Sequence, residues 1–345
     1  MKVLYVSQQH GPHDRRFLAA IAEAGHTCLF LCTGSAGVHT QQLSAGVQLV
    51  SGGVAEVARQ HQPDVVHAGP LHTCAWQART AQPLVAMSWG SDILYTAKRN
   101  LLARYKTRAA LRAARVLIAD CQAVVDAAAV LGFDPARAVI FPWGIDLQRF
   151  QPQAASQLRQ ELGWQDAFVL LHLRSWEPVY DTETALRAFL ALAPSQPQLR
   201  LLLPGGGSLA PRIHKLVQAS GFAERVHMPG YIEQEDLPAH YAAADLYLSA
   251  SRSDGSSVSL MEALACGLPA LVSDIPANRE WVEPGQQGWL FPVGDSAALA
   301  DKIVAAMQNT DLQAIQQRAR QRAEERADWA NNKLGLQRAY EMAVA

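Results

Sequence analysis

Short apolar runs alternate with helix-patterned stretches along the whole chain, and they do so in two successive series. The first series reads as strands at KVLYVS (2–7), TCLFLC (27–32), PDVVHA (63–68), PLVAMS (83–88), RVLIAD (115–120) and AVIFP (138–142), with helices such as Arg15–Ala24 between them. The second reads as AFVLLHL (167–173), LRLLLPG (199–205), RVHMPG (225–230), DLYLSA (245–250), PALVSD (269–274) and GWLFP (288–292), separated by helices over Thr182–Leu192, Pro211–Ala219 and Val258–Cys266. Strands this uniformly apolar are buried on both faces, which requires helices on both sides and therefore parallel sheets. The expected class is α/β, with two doubly wound Rossmann-like domains in tandem facing across a cleft. At 345 residues each half is long enough to bury its own core. Gly, Pro and Gln interrupt the pattern in GIDLQRFQPQ (144–153), so the domains are expected at 1–148 and 149–329.

Composition narrows the function classes. With 49% hydrophobic and 18% charged residues and no apolar run near the roughly 20 needed to span a bilayer, a membrane-spanning protein is not expected. The chain opens directly on a strand pattern without a basic start and apolar leader, so the expected location is cytoplasmic. The five cysteines are odd in number and lack paired spacing, and they read as buried thiols in a reducing compartment. The net charge of −1 conceals a split: residues 1–150 hold 14 Lys+Arg against 9 Asp+Glu, and the remainder 16 against 22. Residues 98–115, KRNLLARYKTRAALRAAR, carry seven basic side chains and no acid. Such a helix fits peripheral contact with an anionic membrane at its inner face, or a solvated surface with no partner. A single aromatic, Tyr105, and no recognisable module argue against nucleic acid.

Ligands of open parallel sheets bind beyond the carboxyl ends of strands. After DLYLSA comes SRSDGSSVSLMEALACG (251–267), a polar loop that opens onto an apolar helix. Ser256 or Ser257 is placed to cap that helix, whose N-terminus suits a phosphate. Val258 and Glu262 share a face, so a carboxylate one turn deeper is placed to accept hydrogen bonds from vicinal ribose hydroxyls. Arg174, just past AFVLLHL, is placed to neutralise a diphosphate or to pair with Glu177 or Asp181. PGGGSL, with Gly206, allows close backbone approach after another strand. In the first half, Gly11 follows the first strand, Trp89 and Asp92 follow PLVAMS, and His72 follows PDVVHA; Asp92 is placed to orient a hydroxyl or to cap a helix. QQHGPHDRRF lacks the glycine spacing of a dinucleotide fingerprint, and no His, Cys, Asp or Glu cluster has metal spacing, so no metal or cofactor is expected.

These residues together resemble the family 4 glycosyltransferases, retaining enzymes of the GT-B architecture. SDGSSVSLMEALACGLPALVSD is similar to the family's E-x7-E stretch, with Asp254 where the first Glu usually stands and Glu262 at the second. VHMPGYIEQEDLPAHYAAADLYLSAS resembles the segment before it, and FPWGIDLQRF the entry to the hinge. The resemblance implies that Glu262 binds the donor ribose, that Ser256, Ser257, Val258 and Arg174 hold the diphosphate, and that Gly255 also contributes to the donor site. It implies that Tyr231 and Ile232 border the base and that Asp254 approaches the transferred sugar. It also implies that the last helix, about 330–345, returns to the first domain, the acceptor side. The family usually pairs its Arg with a Lys, but EPVYD (177–181) has none, and Trp89 stands where many relatives carry a His. The activity implied is hexosyl transfer from a UDP- or GDP-sugar to a hydroxyl acceptor; the alternatives are a non-catalytic nucleotide-sugar-binding scaffold subunit and a nucleotide-sugar epimerase.

Overall fold

The computed structural model describes residues 1–34, 43–153 and 157–345. The chain forms two compact units, Met1–Trp143 with Ala330–Ala345, and Gly144–Trp329. The division falls at the start of the Gly/Pro/Gln-rich stretch, five residues ahead of the boundary expected from sequence. Gly144 has φ +64, and an added Cβ there would lie 2.9 Å from the Trp329 backbone, so this crossing point of the chain has room only for glycine.

The first unit holds seven parallel strands: β1 (Lys2–Ser7), β2 (Thr27–Cys32), β3 (Val47–Val50), β4 (Val65–Ala68), β5 (Leu84–Met87), β6 (Val116–Ala119) and β7 (Ala138–Ile140). Their order is β3-β2-β1-β4-β5-β6-β7. β3 was not legible as a strand because it is a short edge strand with no fully buried residue, and so lacks an apolar run. The helix expected at Arg15–Ala24 starts earlier, at Pro12–Glu23, with proline at its first position and Gly11 as its cap. The basic stretch forms a short helix at Ala97–Arg99 and a longer one at Leu101–Ala113, capped by Asn100.

The C-terminal helix Leu334–Val344 belongs to this unit. Its Tyr340 hydroxyl lies 2.8 Å from Nδ1 of His67 on β4, and the His67 Nε2 lies 3.3 Å from the Met87 sulfur. A thioether can only accept, so Nε2 carries the proton and Nδ1 accepts from Tyr340.

The second unit holds β8 (Phe168–Leu171), β9 (Leu199–Leu202), β10 (Val226–His227), β11 (Leu246–Ser249), β12 (Ala270–Ser273) and β13 (Gly288–Phe291), in the order β10-β9-β8-β11-β12-β13. Successive side chains alternate between two cores. Val169 and Leu171 pack with Leu260, Leu264 and Trp281 on one face, whereas Leu170 packs with Leu186, Phe189 and Ile303 on the other. Among the described residues no helix is long and apolar enough to cross a membrane. Of the cysteines expected to be buried, Cys28, Cys74 and Cys121 are; Cys32 and Cys266 are only partly so.

Two expected outcomes follow. Tyr340→Phe removes the hydroxyl and leaves a buried imidazole nitrogen without its partner, which should cost about 1–3 kcal/mol of stability in chemical denaturation. Burial lowers the pKa of both His67 and His172 to about 3, against 6.5 ordinarily. Below pH 6.5 the unfolded chain therefore binds protons that the folded chain refuses, so these groups subtract stability as pH falls toward 3. In His67→Gln, His172→Gln the fall in stability with decreasing pH should be shallower by about two protons near pH 4.5.

Candidate functional site

In the second unit β8 and β11 are neighbours, but the chain leaves them in opposite directions, to β9 on one side and β12 on the other. In open parallel sheets such a reversal is where the loops diverge and ligands bind, at the carboxyl ends of the strands. Arg174 follows β8 and residues 250–257 follow β11, so topology brings the two stretches together across about 80 residues of sequence.

The loop runs into the helix Val258–Ala265 with Ser257 at the cap position in extended conformation. The expected side-chain cap is absent. The Ser257 hydroxyl instead accepts from Arg174 Nη1 at 2.5 Å, and Ser256 Oγ accepts from the Trp281 indole at 3.2 Å. Ser257 thus gives the helix N-terminus no side-chain cap, which suits it to an external anion.

Arg174 is the hub. Its Nη2 donates to Asp254 Oδ2 at 2.5 Å, Nη1 also reaches Ser259 Oγ at 3.2 Å, and the guanidinium lies 4.1 Å from the centre of the Tyr180 ring. Ser259 Oγ in turn lies 2.7 Å from the Tyr247 hydroxyl. Burial opposes the charge of Arg174, but Asp254 and the surrounding phenols outweigh it and hold its pKa above the ordinary value. Burial raises the Asp254 pKa, opposed by Arg174 and the Gly255 N–H. The alternative partners are otherwise engaged: Glu177 accepts from the Ser208 N–H at 2.8 Å, and Asp181 lies 2.6 Å from Arg252.

Glu262 projects from the second turn and is 6% exposed. Its Oε2 accepts from the Tyr241 hydroxyl at 2.8 Å, and that hydroxyl also reaches the Ser259 carbonyl at 3.1 Å. Gly205 and Gly207 have positive φ, and a Cβ on them would meet the backbone of Arg174 at 2.9 Å and of Trp176 at 2.7 Å. The glycine loop is therefore required by chain packing beside Arg174. A Cβ on Gly206 would come within 3.1 Å of the Tyr231 ring, which is largely exposed, and Ile232 is half-buried. Ser259, Tyr180, Tyr241, Tyr247 and Trp281 were not singled out from sequence. Ser259, two residues after Ser257 in the same serine run, and Tyr180, in the EPVYD stretch after Arg174, carried a local signal; Tyr241, Tyr247 and Trp281 join the site through tertiary packing alone.

In the first unit Gly11, His72, Trp89 and Asp92 all follow the carboxyl ends of β1, β4 and β5. Two readings change. The Gly11 N–H donates to Asp14 Oδ2 at 2.9 Å, so it serves the helix start rather than facing a ligand. Asp92 is 3% exposed and accepts from Ser88 Oγ at 2.6 Å, the Leu71 N–H at 2.7 Å and the Ile93 N–H at 2.9 Å. Its carboxylate ties the β4 and β5 loops together and is spent on that task. Half-buried Trp89 packs against His13, Phe17 and Trp143 with ring centres about 6 Å apart, while the buried Nδ1 of His72 has no hydrogen-bond partner. Burial, with Arg16 nearby, lowers the His13 pKa to about 4. Among the described residues no group of three or more His, Cys, Asp or Glu is arranged to hold a metal.

Residues 15–149 match the family Glycosyltransferase Family 4, and residues 155–326 match Glycosyl transferases group 1. D-inositol 3-phosphate glycosyltransferase of Geodermatophilus obscurus is 28% identical over 80% of this chain and 67% of its own length. Phosphatidyl-myo-inositol mannosyltransferase of Mycobacterium leprae is 35% identical over 36% of this chain and 33% of its own. The chain thus spans from a third to two thirds of these curated relatives. In fold it is similar to Anabaena HepE, solved with UDP and glucose, at a TM-score of 0.84, 22% identity and 99% coverage of both chains. Sucrose-phosphate synthase of Thermosynechococcus elongatus gives a TM-score of 0.80 at 20% identity, covering 99% of this chain and 98% of that one. With two doubly wound units and family matches that together cover residues 15–149 and 155–326, the chain belongs to the family 4 glycosyltransferases of GT-B architecture.

Proposed function

We propose that the chain transfers a hexosyl group from a UDP- or GDP-sugar to a hydroxyl acceptor with retention of anomeric configuration, in glycan, polysaccharide or glycolipid assembly. The observation that carries this reading is the cluster of side chains at the carboxyl ends of β8 and β11. There a buried guanidinium, two serine hydroxyls and an uncapped helix N-terminus stand one turn above a buried carboxylate. The cation and the N–H groups suit a diphosphate, and Glu262 suits the ribose diol. As the glycosidic bond breaks, charge grows on the leaving diphosphate, and donors already in place stabilise it without reorganising. Arg174 and the helix N-terminus carry that role in place of a metal, and no protein nucleophile is assigned. Tyr231, Ile232 and Gly206 border the base, and His72 and Trp89 belong to the acceptor side. The names of the two relatives, a glycosyltransferase of D-inositol 3-phosphate and a mannosyltransferase of phosphatidyl-myo-inositol, and the UDP of HepE support the substrate class.

The helix Leu101–Ala113 packs on the segment Leu71–Ala75 that carries His72, with the Tyr105 ring 5.7 Å from that of Trp76. Leu101, Leu102 and Tyr105 are 86%, 60% and 62% exposed within the stretch of seven cations. Exposed leucines among cations fit a peripheral site on an anionic, cytoplasmic membrane face, from which a lipid-linked acceptor is taken.

In thermal denaturation without added metal, one nucleotide among UDP, GDP and ADP should stabilise the wild type, by about 2.7 kcal/mol at a hundredfold excess over Kd, and leave Glu262→Ala unmoved. Arg174→Ala should lower kcat by about 10²–10³, and EDTA should leave turnover intact. Turnover with an acceptor separates the enzyme from a binding subunit, and absence of donor epimer separates it from an epimerase. Cosedimentation with phosphatidylserine vesicles, weakened by salt and lost in Leu101→Asp, Leu102→Asp, checks the membrane surface; equal binding to phosphatidylcholine vesicles would refute it.

A further inference from the structure

The cation assigned to the diphosphate is already neutralised. Asp254 lies 2.5 Å from Arg174 Nη2, with the two side chains only 16% and 10% exposed. The pair is built to hold the guanidinium still. Tyr180 covers its face at 4.1 Å, and the Tyr180 segment is fixed from both sides: the Arg252 N–H donates to the Val179 carbonyl at 2.8 Å, and the Arg252 side chain pairs with Asp181. Ser257 and Ser259 fix the second guanidinium nitrogen. Asp254 has no comparable anchor beyond the Gly255 N–H, at 3.1 Å from Oδ1. An anion arriving at Arg174 therefore meets a fixed cation and a movable carboxylate.

We infer that Asp254 is an internal counter-ion that competes with the nucleotide diphosphate for Arg174 and so promotes departure of the free nucleoside diphosphate. This deepens the donor-site reading above and rests on it. When a diphosphate takes Arg174, Asp254 loses its cation while remaining beside added negative charge, in surroundings that screen poorly. A nucleotide sugar brings hydroxyl donors that hydrogen-bond the displaced carboxylate. A free nucleoside diphosphate lacks the hydroxyls of the transferred sugar, its ribose diol being taken by Glu262, and its terminal phosphate carries additional negative charge. The carboxylate thus discriminates against the product more than against the donor, and closing the Arg174–Asp254 pair accompanies product release. Tyr180 stands in the stretch where a second cation is lacking, so one guanidinium decides the balance between the two anions.

Titration calorimetry on the whole chain tests this with UDP, GDP and ADP and with the corresponding nucleotide sugars. Asp254→Asn keeps the size of the side chain and removes its charge; it should bind the free nucleoside diphosphate about tenfold more tightly than wild type, with no equal gain for the nucleotide sugar. Product inhibition of turnover should deepen in parallel. Unchanged or weaker nucleoside diphosphate binding in Asp254→Asn would overturn the inference. Should that variant unfold, Asp254→Ser takes its place with the same expectation. Glu262→Ala separates the two levels: under the donor-site reading it loses nucleotide binding whatever Asp254 does. If Glu262→Ala binds as wild type does, or if wild type binds none of the nucleotides, the donor-site reading itself falls and the inference with it.

Discussion

A buried cation must be satisfied wherever it sits, and the second unit is arranged around how Arg174 is satisfied. Its guanidinium reaches residues 80 or more positions away, Asp254, Ser257 and Ser259, and these contacts exist only because β8 and β11 are adjacent in the sheet. That adjacency follows from burial. Both faces of the sheet are packed, so each crossover carries a helix to one side or the other. Where the direction of winding reverses, two loops part and leave space at the carboxyl edge. The helix cap is given up for the same reason: the Ser257 hydroxyl turns to Arg174 instead of to its own helix.

Much of this architecture was legible because apolar runs are direct statements about burial. KVLYVS and TCLFLC coincide with β1 and β2 residue for residue, and Thr182–Leu192 coincides with its helix. The misses have a common cause. β3 lies at an edge with its residues part exposed, and RVHMPG contributes only Val226–His227 to the opposite edge of the other sheet; neither needs the continuous apolar pattern that marks a central strand. Sequence spacing also located the residues that share one helix, such as Val258 and Glu262. It could not give the direction in which a side chain spends its hydrogen bonds. Sequence favours Asp92 as a helix cap first and as a group for a hydroxyl second; it does accept the Ile93 N–H, and only the approach of the Leu71 N–H from another loop shows that it also ties two loops together.

The aromatic members of the site were illegible for a related reason. Tyr241 lies 21 residues before Glu262 and Trp281 lies 25 after Ser256, each on a separate element, and nothing local marks them. Their role is to hold polar groups in place while remaining apolar enough to fill the core. A buried Tyr or Trp supplies one directed hydrogen bond with a large packed body. Tyr241 belongs to the core beneath the site while its hydroxyl orients Glu262, so the carboxylate is positioned by packing as much as by its own helix.

The same division of labour explains how EPVYD can do without a lysine. A second cation would add attraction for phosphate but would also have to be satisfied when no ligand is present. Tyr180 instead covers the face of the one guanidinium, a contact that is attractive whether the anion on the other side belongs to the protein or to a ligand. In the proposed exchange the charge on Arg174 is shared in time between Asp254 and a diphosphate, and the scaffold of Tyr180, Ser257 and Ser259 need not move. A site with one immobile cation and one mobile counter-ion binds its anion less tightly than a site with two cations, and it releases that anion more readily. For a reaction that ends with a free diphosphate still facing its binding groups, weaker retention of the product favours the next cycle.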